Sequence, residues 1–321
     1  MSQKPPLSIS FHNFGRSFGG GTGFITRTLS ERFTVQVERF GADIEFYSVF
    51  GEEIPAQVLQ SKALKVWLTG ENYDPRHLVY DLYFGFQQNG LLGARSIRFP
   101  LWVLYIDWWS KSGPMSVEAL TGARAFAPRP HFCNFIYSKD ASYRAEVFHR
   151  LDKRRHVHSL GGVLNNMGGR VGDKLAALRD YRFTMAFENM LAPGYVTEKI
   201  LQPLASGSIP IYWGGPEART DFNPTAFIDA SAFASADSLI DHVLALADDE
   251  EALRSYAEAP IFADGIPYHH TPAFFADRIQ EALDTPSMRG IGREINAALA
   301  PRQTIKIRAR SLANRVKAAL R

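Results

Sequence analysis

Residues 183–215 read FTMAFENMLAPGYVTEKILQPLASGSIPIYWGG, and this stretch decides the fold. An apolar run that ends in an acidic and an amide side chain predicts a strand over residues 182–188. A polar turn, a helix over residues 197–206 and a second apolar strand over residues 209–213 follow it. Strand, helix and strand in this order form a βαβ unit, which requires parallel strands and indicates an α/β protein.

The same alternation of strands and helices extends through the chain and falls into two series. The predicted strands cover residues 7–14, 33–38, 42–50, 63–68, 81–86 and 97–105, then 132–138, 156–160, 182–188, 209–213 and 227–229. The predicted helices cover residues 24–32, 141–151, 174–179, 197–206, 238–247, 251–257 and 272–283. We therefore expect two Rossmann-like domains facing a central cleft, with ligands at the carboxyl ends of the strands. A segment with two prolines ends near residue 130, which predicts domains over residues 1–130 and 131–290 and a tail over 291–321.

The composition is that of a globular protein, and its charge is unevenly distributed. Hydrophobic residues make up 45% of the 321 residues, yet no apolar stretch approaches the roughly 20 residues of a membrane span. The single cysteine, Cys133, excludes an internal disulfide and is expected in the core. Seven basic side chains and no acidic one fall within residues 302–321. The whole chain has a net charge of +3, so the remaining residues have a net charge of −4. A nucleic-acid-binding face across the whole protein is therefore not predicted.

The turn between the strand and helix of residues 183–206 concentrates polar side chains at one corner: Glu188, Asn189, Tyr195, Thr197, Glu198 and Lys199. A helix N-terminus offers unpaired N–H groups and a positive dipole end, which suit a phosphate. Lys199 adds a cation there, and Glu198 is an acceptor suited to ribose hydroxyls. Considered one at a time, these residues need no ligand: Thr197 can be a helix cap and Lys199 a surface charge. Their convergence at one corner favours a nucleotide site.

This stretch resembles the signature of glycosyltransferase family 10, the α1,3/α1,4-fucosyltransferases. The resemblance rests on FEN at residues 187–189, YVTEK at 195–199 and IPIYWG at 209–214, and it extends over roughly residues 40–260. It implies a GT-B fold, GDP-fucose as donor without a required cofactor, and inversion at the anomeric carbon. It assigns Asn189, Tyr195, Glu198 and Lys199 to the donor nucleotide, with Glu188 as a further candidate contact.

Two other segments fit the same family. Residues 135–155 match a strand followed by a helix that carries an arginine, which makes Ser138 a candidate donor contact and Arg144 the partner of the donor pyrophosphate. A leaving GDP needs fixed cations, although a solvated helix residue is the alternative for Arg144. Residues 161–166 read GGVLNN and resemble a family turn in which Gly162 and Asn165 are candidate donor contacts. Small residues there let a backbone approach a ligand.

A general base is expected in the first half of the chain. Residues 69–72 read TGEN at the end of a predicted strand, where the family has a glutamate that takes the proton of the acceptor hydroxyl. The resemblance therefore makes Glu71 the catalytic base. Asp74 and Asp81 are competitors that fit a turn and a strand edge better.

Other features of the sequence leave alternatives open. Trp108 and Trp109 either stack on acceptor sugars or pack in the core. The glycines of residues 19–23 fit a structural loop better than a ligand loop, because the G-x-G-x-x-G register is missing. No cluster of His, Cys and Asp has metal-ligand spacing and no D-x-D motif is present, so no metal is predicted.

The resemblance is to a bacterial, cytosolic member of the family, because neither an N-terminal anchor nor disulfides are seen. In the tail, Leu312, Val316, Ala319 and Leu320 form an apolar stripe at helical spacing, with basic residues around it. This pattern predicts association with an anionic membrane at the inner face; a solvated, disordered tail is the alternative.

The predicted function is transfer of L-fucose from GDP-fucose to a GlcNAc- or Glc-containing glycan of the N-acetyllactosamine or lactose type. A transferase for another nucleotide sugar, an inactive sugar-nucleotide binder and an adaptor acting through the basic tail are the alternatives. A bacterial origin, a cytoplasmic location and a place in protein glycosylation are expected as well.

Overall fold

A computed structural model describes residues 3–15, 19–50, 60–72, 80–86, 95–137, 142–169 and 171–285. The chain divides into two compact units. The first consists of residues up to Leu104 together with those from Tyr268 onward, and the second spans Tyr105–Pro267. Each unit is built on its own parallel sheet, so the predicted α/β class is confirmed. Ser138, Asp74 and the basic tail of residues 291–321 lie outside the described residues.

The elements of the described residues follow in chain order. The strands are β1 (Pro6–His12), β2 (Thr34–Val37), β3 (Ile44–Tyr47), β4 (Leu64–Leu68), β5 (Leu82–Gly85), β6 (Ser96–Arg98), β7 (His131–Phe135), β8 (Val157–Ser159), β9 (Tyr181–Phe187), β10 (Ile209–Trp213) and β11 (Ile228–Asp229). The α-helices are α1 (Gly19–Ser30), α2 (Val117–Thr121), α3 (Ser142–Arg154), α4 (Lys174–Leu178), α5 (Glu198–Ser206), α6 (Ala218–Asp221), α7 (Ala236–Ala247), α8 (Glu250–Glu258) and α9 (Pro272–Asp284). Short 3-10 helices cover Leu101–Tyr105, Pro224–Ala226, Ala230–Ala232 and Tyr268–His270.

The first unit holds six strands in the order β2-β1-β3-β4-β5-β6. All residues of β3, β4 and β5 are buried, as expected for parallel strands covered on both faces. Helix α9 belongs to this core because the ring of Phe275 packs against those of Phe46 and Phe84, at centroid distances of 6.4 and 4.5 Å. This long-range aromatic contact explains why α9 belongs to the first unit, whereas the predicted boundaries at residues 130 and 290 place it in the second domain.

The second unit holds five strands in the order β11-β10-β9-β7-β8. In the register of β9 and β10, Phe183 pairs with Ile209 and Phe187 with Trp213, which brings the carboxyl ends of both strands level. Cys133 on β7 is 1% exposed within the core, as predicted, and burial raises the pKa of its thiol.

Two segments differ from the prediction. The glycines predicted as a loop form the first turns of α1, because the buried Ile25 and Leu29 anchor the helix behind them. Residues 97–105, predicted as one strand, divide at Pro100 into β6 and a 3-10 helix. Proline has no N–H for a strand ladder, and the Pro100 carbonyl accepts from the Val103 N–H at 3.1 Å. Within the described ranges, none of the helices is long and apolar enough to cross a bilayer.

Candidate active site

The polar corner predicted from residues 183–206 forms at the carboxyl ends of β9 and β10. Glu188 directly follows β9, and its N–H donates to the Trp213 carbonyl at 2.7 Å. Thr197 is the N-cap of α5, where its hydroxyl accepts from the Lys199 N–H at 3.4 Å. A β9-turn-α5 connection therefore carries the charged residues to the edge where parallel sheets bind ligands.

A fully buried carboxylate organises this corner. One oxygen of Glu188 accepts from the Thr197 N–H at 2.7 Å and from the Thr197 hydroxyl at 2.8 Å. The other accepts from Lys199 Nζ at 3.1 Å, and Glu198 Oε1 lies 4.0 Å from the same nitrogen. The Glu188 side chain is 0% exposed and that of Lys199 is 21% exposed. Glu188 thus lies beneath the corner, and Lys199 is the charge that reaches its surface.

The two charges of this pair respond differently to burial. Burial raises the pKa of the Glu188 carboxyl, and Lys199 and the Thr197 donors oppose that rise without cancelling it. Burial alone would lower the pKa of the Lys199 ammonium, but the carboxylates of Glu188 and Glu198 outweigh it and raise that pKa. Lys199 therefore stays positive at neutral pH, beside the unpaired N–H groups of the α5 N-terminus.

Arg144 on α3 supports the same corner from the other side of β9. Its Nε donates to the Glu188 carbonyl at 2.8 Å, and its Nη2 donates to the Phe187 carbonyl at 2.8 Å and to Asn189 Oδ1 at 2.7 Å. The residue is 1% exposed, and burial lowers the pKa of its guanidinium while Glu188 opposes that effect. Asn189 in turn donates to the hydroxyl of the buried Tyr195 at 3.5 Å. The structure thus brings together all five residues assigned to the donor.

The loop that follows β8 is organised by its own side chains and glycines. Asn165 Nδ2 donates to the Gly161 and Gly169 carbonyls, both at 2.9 Å, and its Oδ1 accepts from the Met167 and Gly169 N–H groups at 3.2 Å. The Gly162 N–H donates to the Tyr137 carbonyl at 2.9 Å. A Cβ at Gly161 would collide with the Tyr137 backbone. Position 161 therefore requires a glycine because the loop packs closely against the backbone of Tyr137.

Two residues near Glu198 are absent from the sequence prediction. Lys174 begins α4, and burial lowers the pKa of its ammonium while Glu198 opposes this effect. Burial raises the pKa of Tyr105, and the charge of Glu198 adds to that rise. Neither residue lies in a recognisable motif, and both reach Glu198 through the tertiary fold, so no local signal could have found them.

The predicted base lies in the first unit. Glu71 is half-buried in the turn after β4, and its N–H donates to the Thr69 hydroxyl at 3.1 Å. Asp81 is fully buried and accepts from the Lys65 N–H at 2.9 Å, which makes it a structural residue. Trp108 and Trp109, predicted in the acceptor domain, belong to the second unit and are half-buried. Among the described residues, no group of three or more His, Cys, Asp or Glu side chains is placed to hold a metal ion.

Solved structures identify the class of fold. A crystal structure of an α1,3-fucosyltransferase with GDP-fucose superposes with a TM-score of 0.72 at 24% identity, over 89% of this chain and 92% of that one. The Anabaena HepE protein in complex with UDP-glucose superposes with a TM-score of 0.53 at 10% identity, over 87% of this chain and 99% of that one. The architecture is therefore GT-B, the two-unit α/β class of glycosyltransferases.

Sequence comparison identifies the family within this class. Residues 131–259 match the profile of the glycosyltransferase family 10 (fucosyltransferase) C-terminal region, and residues 9–105 match the α-(1,3)-fucosyltransferase FucT N-terminal domain. The α-(1,3)-fucosyltransferase FucT of Helicobacter pylori is 28% identical over 275 residues, which cover 74% of this chain and 57% of that protein. The chain belongs to glycosyltransferase family 10. It spans little more than half the length of the Helicobacter pylori relative.

Proposed function

We propose that the protein transfers L-fucose from GDP-fucose to a hydroxyl of a glycan acceptor. The observation that carries this proposal is the Glu188–Thr197–Lys199 network at the start of α5, within a chain of the fucosyltransferase family. A helix N-terminus beside a lysine ammonium is a site for a diphosphate, and GDP is the diphosphate of this family's donor.

The donor corner would act mainly on the leaving group. Negative charge develops on the β-phosphate as the bond to the sugar breaks, and preorganised donors stabilise it without having to reorient. Lys199 supplies the mobile cation, and Glu198 is the acceptor for the ribose hydroxyls. Arg144 holds Asn189 and the end of β9 in place through three hydrogen bonds, in addition to its predicted interaction with the pyrophosphate.

The proposed chemistry is a single displacement with inversion. The Glu71 carboxylate takes the proton from the acceptor hydroxyl, whose oxygen forms a bond to the anomeric carbon. The bond between that carbon and the β-phosphate oxygen breaks, and its electron pair leaves with GDP. The transition state resembles an oxocarbenium ion, as in other glycosyl transfers. Lactose and N-acetyllactosamine are the acceptors we expect.

The test is product formation from defined substrates. The purified chain is incubated with GDP-fucose and either lactose or N-acetyllactosamine, and the product is analysed by mass spectrometry and proton NMR. We expect release of GDP and an α-linked fucose, which is inversion relative to the β-linked donor. Transfer with retention would refute the single displacement, and absence of transfer to any glycan of this type would refute the acceptor assignment.

A different nucleotide sugar is the second candidate, because the Anabaena HepE protein, solved with UDP-glucose, has the same fold. A competition assay separates the two. Excess GDP should inhibit turnover and excess UDP should not, if GDP-fucose is the donor. Inhibition by UDP and not by GDP would indicate that the donor is a UDP-sugar. Nucleotide binding without turnover on any donor would indicate an inactive binder.

A further inference from the structure

A cavity lies at the opposite end of β9 from the donor corner, the corner formed by Glu188, Thr197 and Lys199. It has a volume of about 330 Å³ and is contained in the second unit. Arg182, the second residue of β9, and Ile209, the first residue of β10, both line it. Arg182 and Glu188 are six residues apart along the strand at about 3.3 Å per residue, so the cavity lies about 20 Å from Glu188. We call it the amino-end pocket.

The walls of the amino-end pocket are largely apolar. Phe126 and Pro128 come from the segment before β7, Ile209 from β10 and Leu253 from α8. The Phe126 ring is covered by the Arg254 guanidinium, whose carbon lies 4.7 Å from the ring centroid. A ligand that fills this space would therefore remove apolar surface from water.

Two arginines provide the polar side of the pocket. Arg182 donates from Nη1 to the Ala247 carbonyl at 3.0 Å and from Nε to the Arg129 carbonyl at 3.4 Å. Arg129 donates from Nη1 to the Arg179 carbonyl, and its Nη2 lies against Gly207, whose φ of +74° ends α5. A guanidinium has five N–H donors, so these bonds engage fewer than half of the donors of the two side chains.

The acids nearby do not neutralise this pair. Asp248 lines the pocket but pairs with Arg155 at 3.0 Å, and Glu250 pairs with Arg254 at 3.2 Å. In the part of the chain that the structure describes, neither Arg129 nor Arg182 has a carboxylate within 4.0 Å. Burial lowers the pKa of Arg129, the Asp180 carboxylate opposes this effect from a greater distance, and Arg179 adds to it. The charge of the half-buried Arg129 is thus only partly compensated by protein groups.

We propose that the amino-end pocket binds an organic anion, with its phosphate or carboxylate between Arg129 and Arg182 and a short apolar body against Phe126, Ile209 and Leu253. Arginine pairs with such groups through two parallel N–H donors, which fits a cavity lined by two arginines. The pocket lies at the other end of β9 from the donor corner, so its ligand should bind without competing with GDP.

Phenyl phosphate is the probe, measured by titration calorimetry with and without saturating GDP. We expect saturable binding that GDP leaves unchanged, and comparable binding of benzoate if a carboxylate serves as well as a phosphate. Inorganic phosphate and benzyl alcohol should bind at least about tenfold more weakly, because each lacks one half of the interaction. Binding of inorganic phosphate as tight as that of phenyl phosphate would refute the apolar part of the proposal.

Two variants and one control complete the test. Arg182→Gln should weaken phenyl phosphate at least about tenfold through loss of charge-assisted bonds. Ala127→Trp, at an exposed lining position, should block the pocket while leaving the melting temperature near that of wild type. Arg150→Gln removes an exposed arginine of α3 outside the pocket and should change nothing. Displacement by GDP, or wild-type binding in both pocket variants, would overturn the proposal.

Discussion

Replacing Lys199 with methionine tests the buried pair at the donor corner. The substitution keeps most of the apolar stem and removes the ammonium that lies 3.1 Å from Glu188. The carboxyl keeps its two donors from Thr197 but loses its one cationic hydrogen-bond partner among the described residues, in a place that water does not reach. Burial already raises the pKa of Glu188, so without the lysine we expect the carboxyl to take up a proton on folding.

The expected loss of stability follows from this protonation. An unfolded glutamate has a pKa of about 4.3, so holding it neutral at about pH 7 costs about 3.7 kcal/mol at 1.36 kcal/mol per pH unit. This is the upper limit of the loss, because burial already raises the pKa of Glu188 in the wild type. This value lies within the roughly 3–5 kcal/mol found when one partner of a buried pair is removed. A group whose pKa is higher in the folded state gains stability as pH falls, so the loss should shrink to at most about 1.6 kcal/mol at about pH 5.5.

Urea denaturation of wild type and Lys199→Met at both pH values measures this loss. Lys153→Met is the matched control, because Lys153 is an exposed lysine on α3, and it should change stability by less than about 0.5 kcal/mol. The double variant Glu188→Gln/Lys199→Met should lose less than the sum of the single variants, since neither charge is then left unpaired. A loss below about 1 kcal/mol at neutral pH, or one that grows as pH falls, would refute the buried-pair reasoning.

Four further outcomes are expected. Glu71→Gln should lower turnover roughly 10²–10⁴-fold with GDP affinity and melting temperature unchanged, and normal turnover of the folded variant would remove Glu71 as the base. Arg144→Lys should lose about 1–3 kcal/mol of stability in urea denaturation, because an ammonium cannot reproduce the three hydrogen bonds of the guanidinium. The variant should also bind GDP more weakly in calorimetry, and unchanged stability and GDP affinity would contradict this role. Gly161→Ala should cost about 1–3 kcal/mol in the same denaturation assay, whereas Gly169→Ala, with open space around it, should cost less; equal costs argue against the close contact. A chain ending at residue 285 should lose salt-sensitive sedimentation with anionic liposomes, and undiminished sedimentation would refute membrane binding by the basic tail.

The βαβ unit at the donor corner could be predicted closely from the sequence because its signals are local. The predicted strand over residues 209–213 coincides with β10, and the predicted helix differs from α5 by one residue at its start. Thr197 is the N-cap of that helix and Gly207 is its C-cap. Both are residue types that favour these positions, so the helix ends can be recognised from the local sequence.

Features that depend on contacts between distant residues could not be predicted from the sequence. The place of α9 is set by Phe275, whose ring packs on residues more than two hundred positions earlier. The sequence pattern indicates a cation at Arg144 but not its three acceptors at the end of β9, which the crossover of the sheet brings to it. Lys174 approaches Glu198 in the same way, through the packing of α4 on α5.

Nucleotide binding at the start of α5 is the claim on which the proposed function rests, and calorimetry tests it most directly. GDP and UDP are titrated into wild type and into Lys199→Met at a pH where both are folded. We predict one GDP per chain, weaker binding of UDP, and a loss of about tenfold or more in GDP affinity in the variant, since a hydrogen bond to a charged group contributes about 1.5–3 kcal/mol. GDP affinity that is unchanged by Lys199→Met would place the nucleotide elsewhere and contradict the claim.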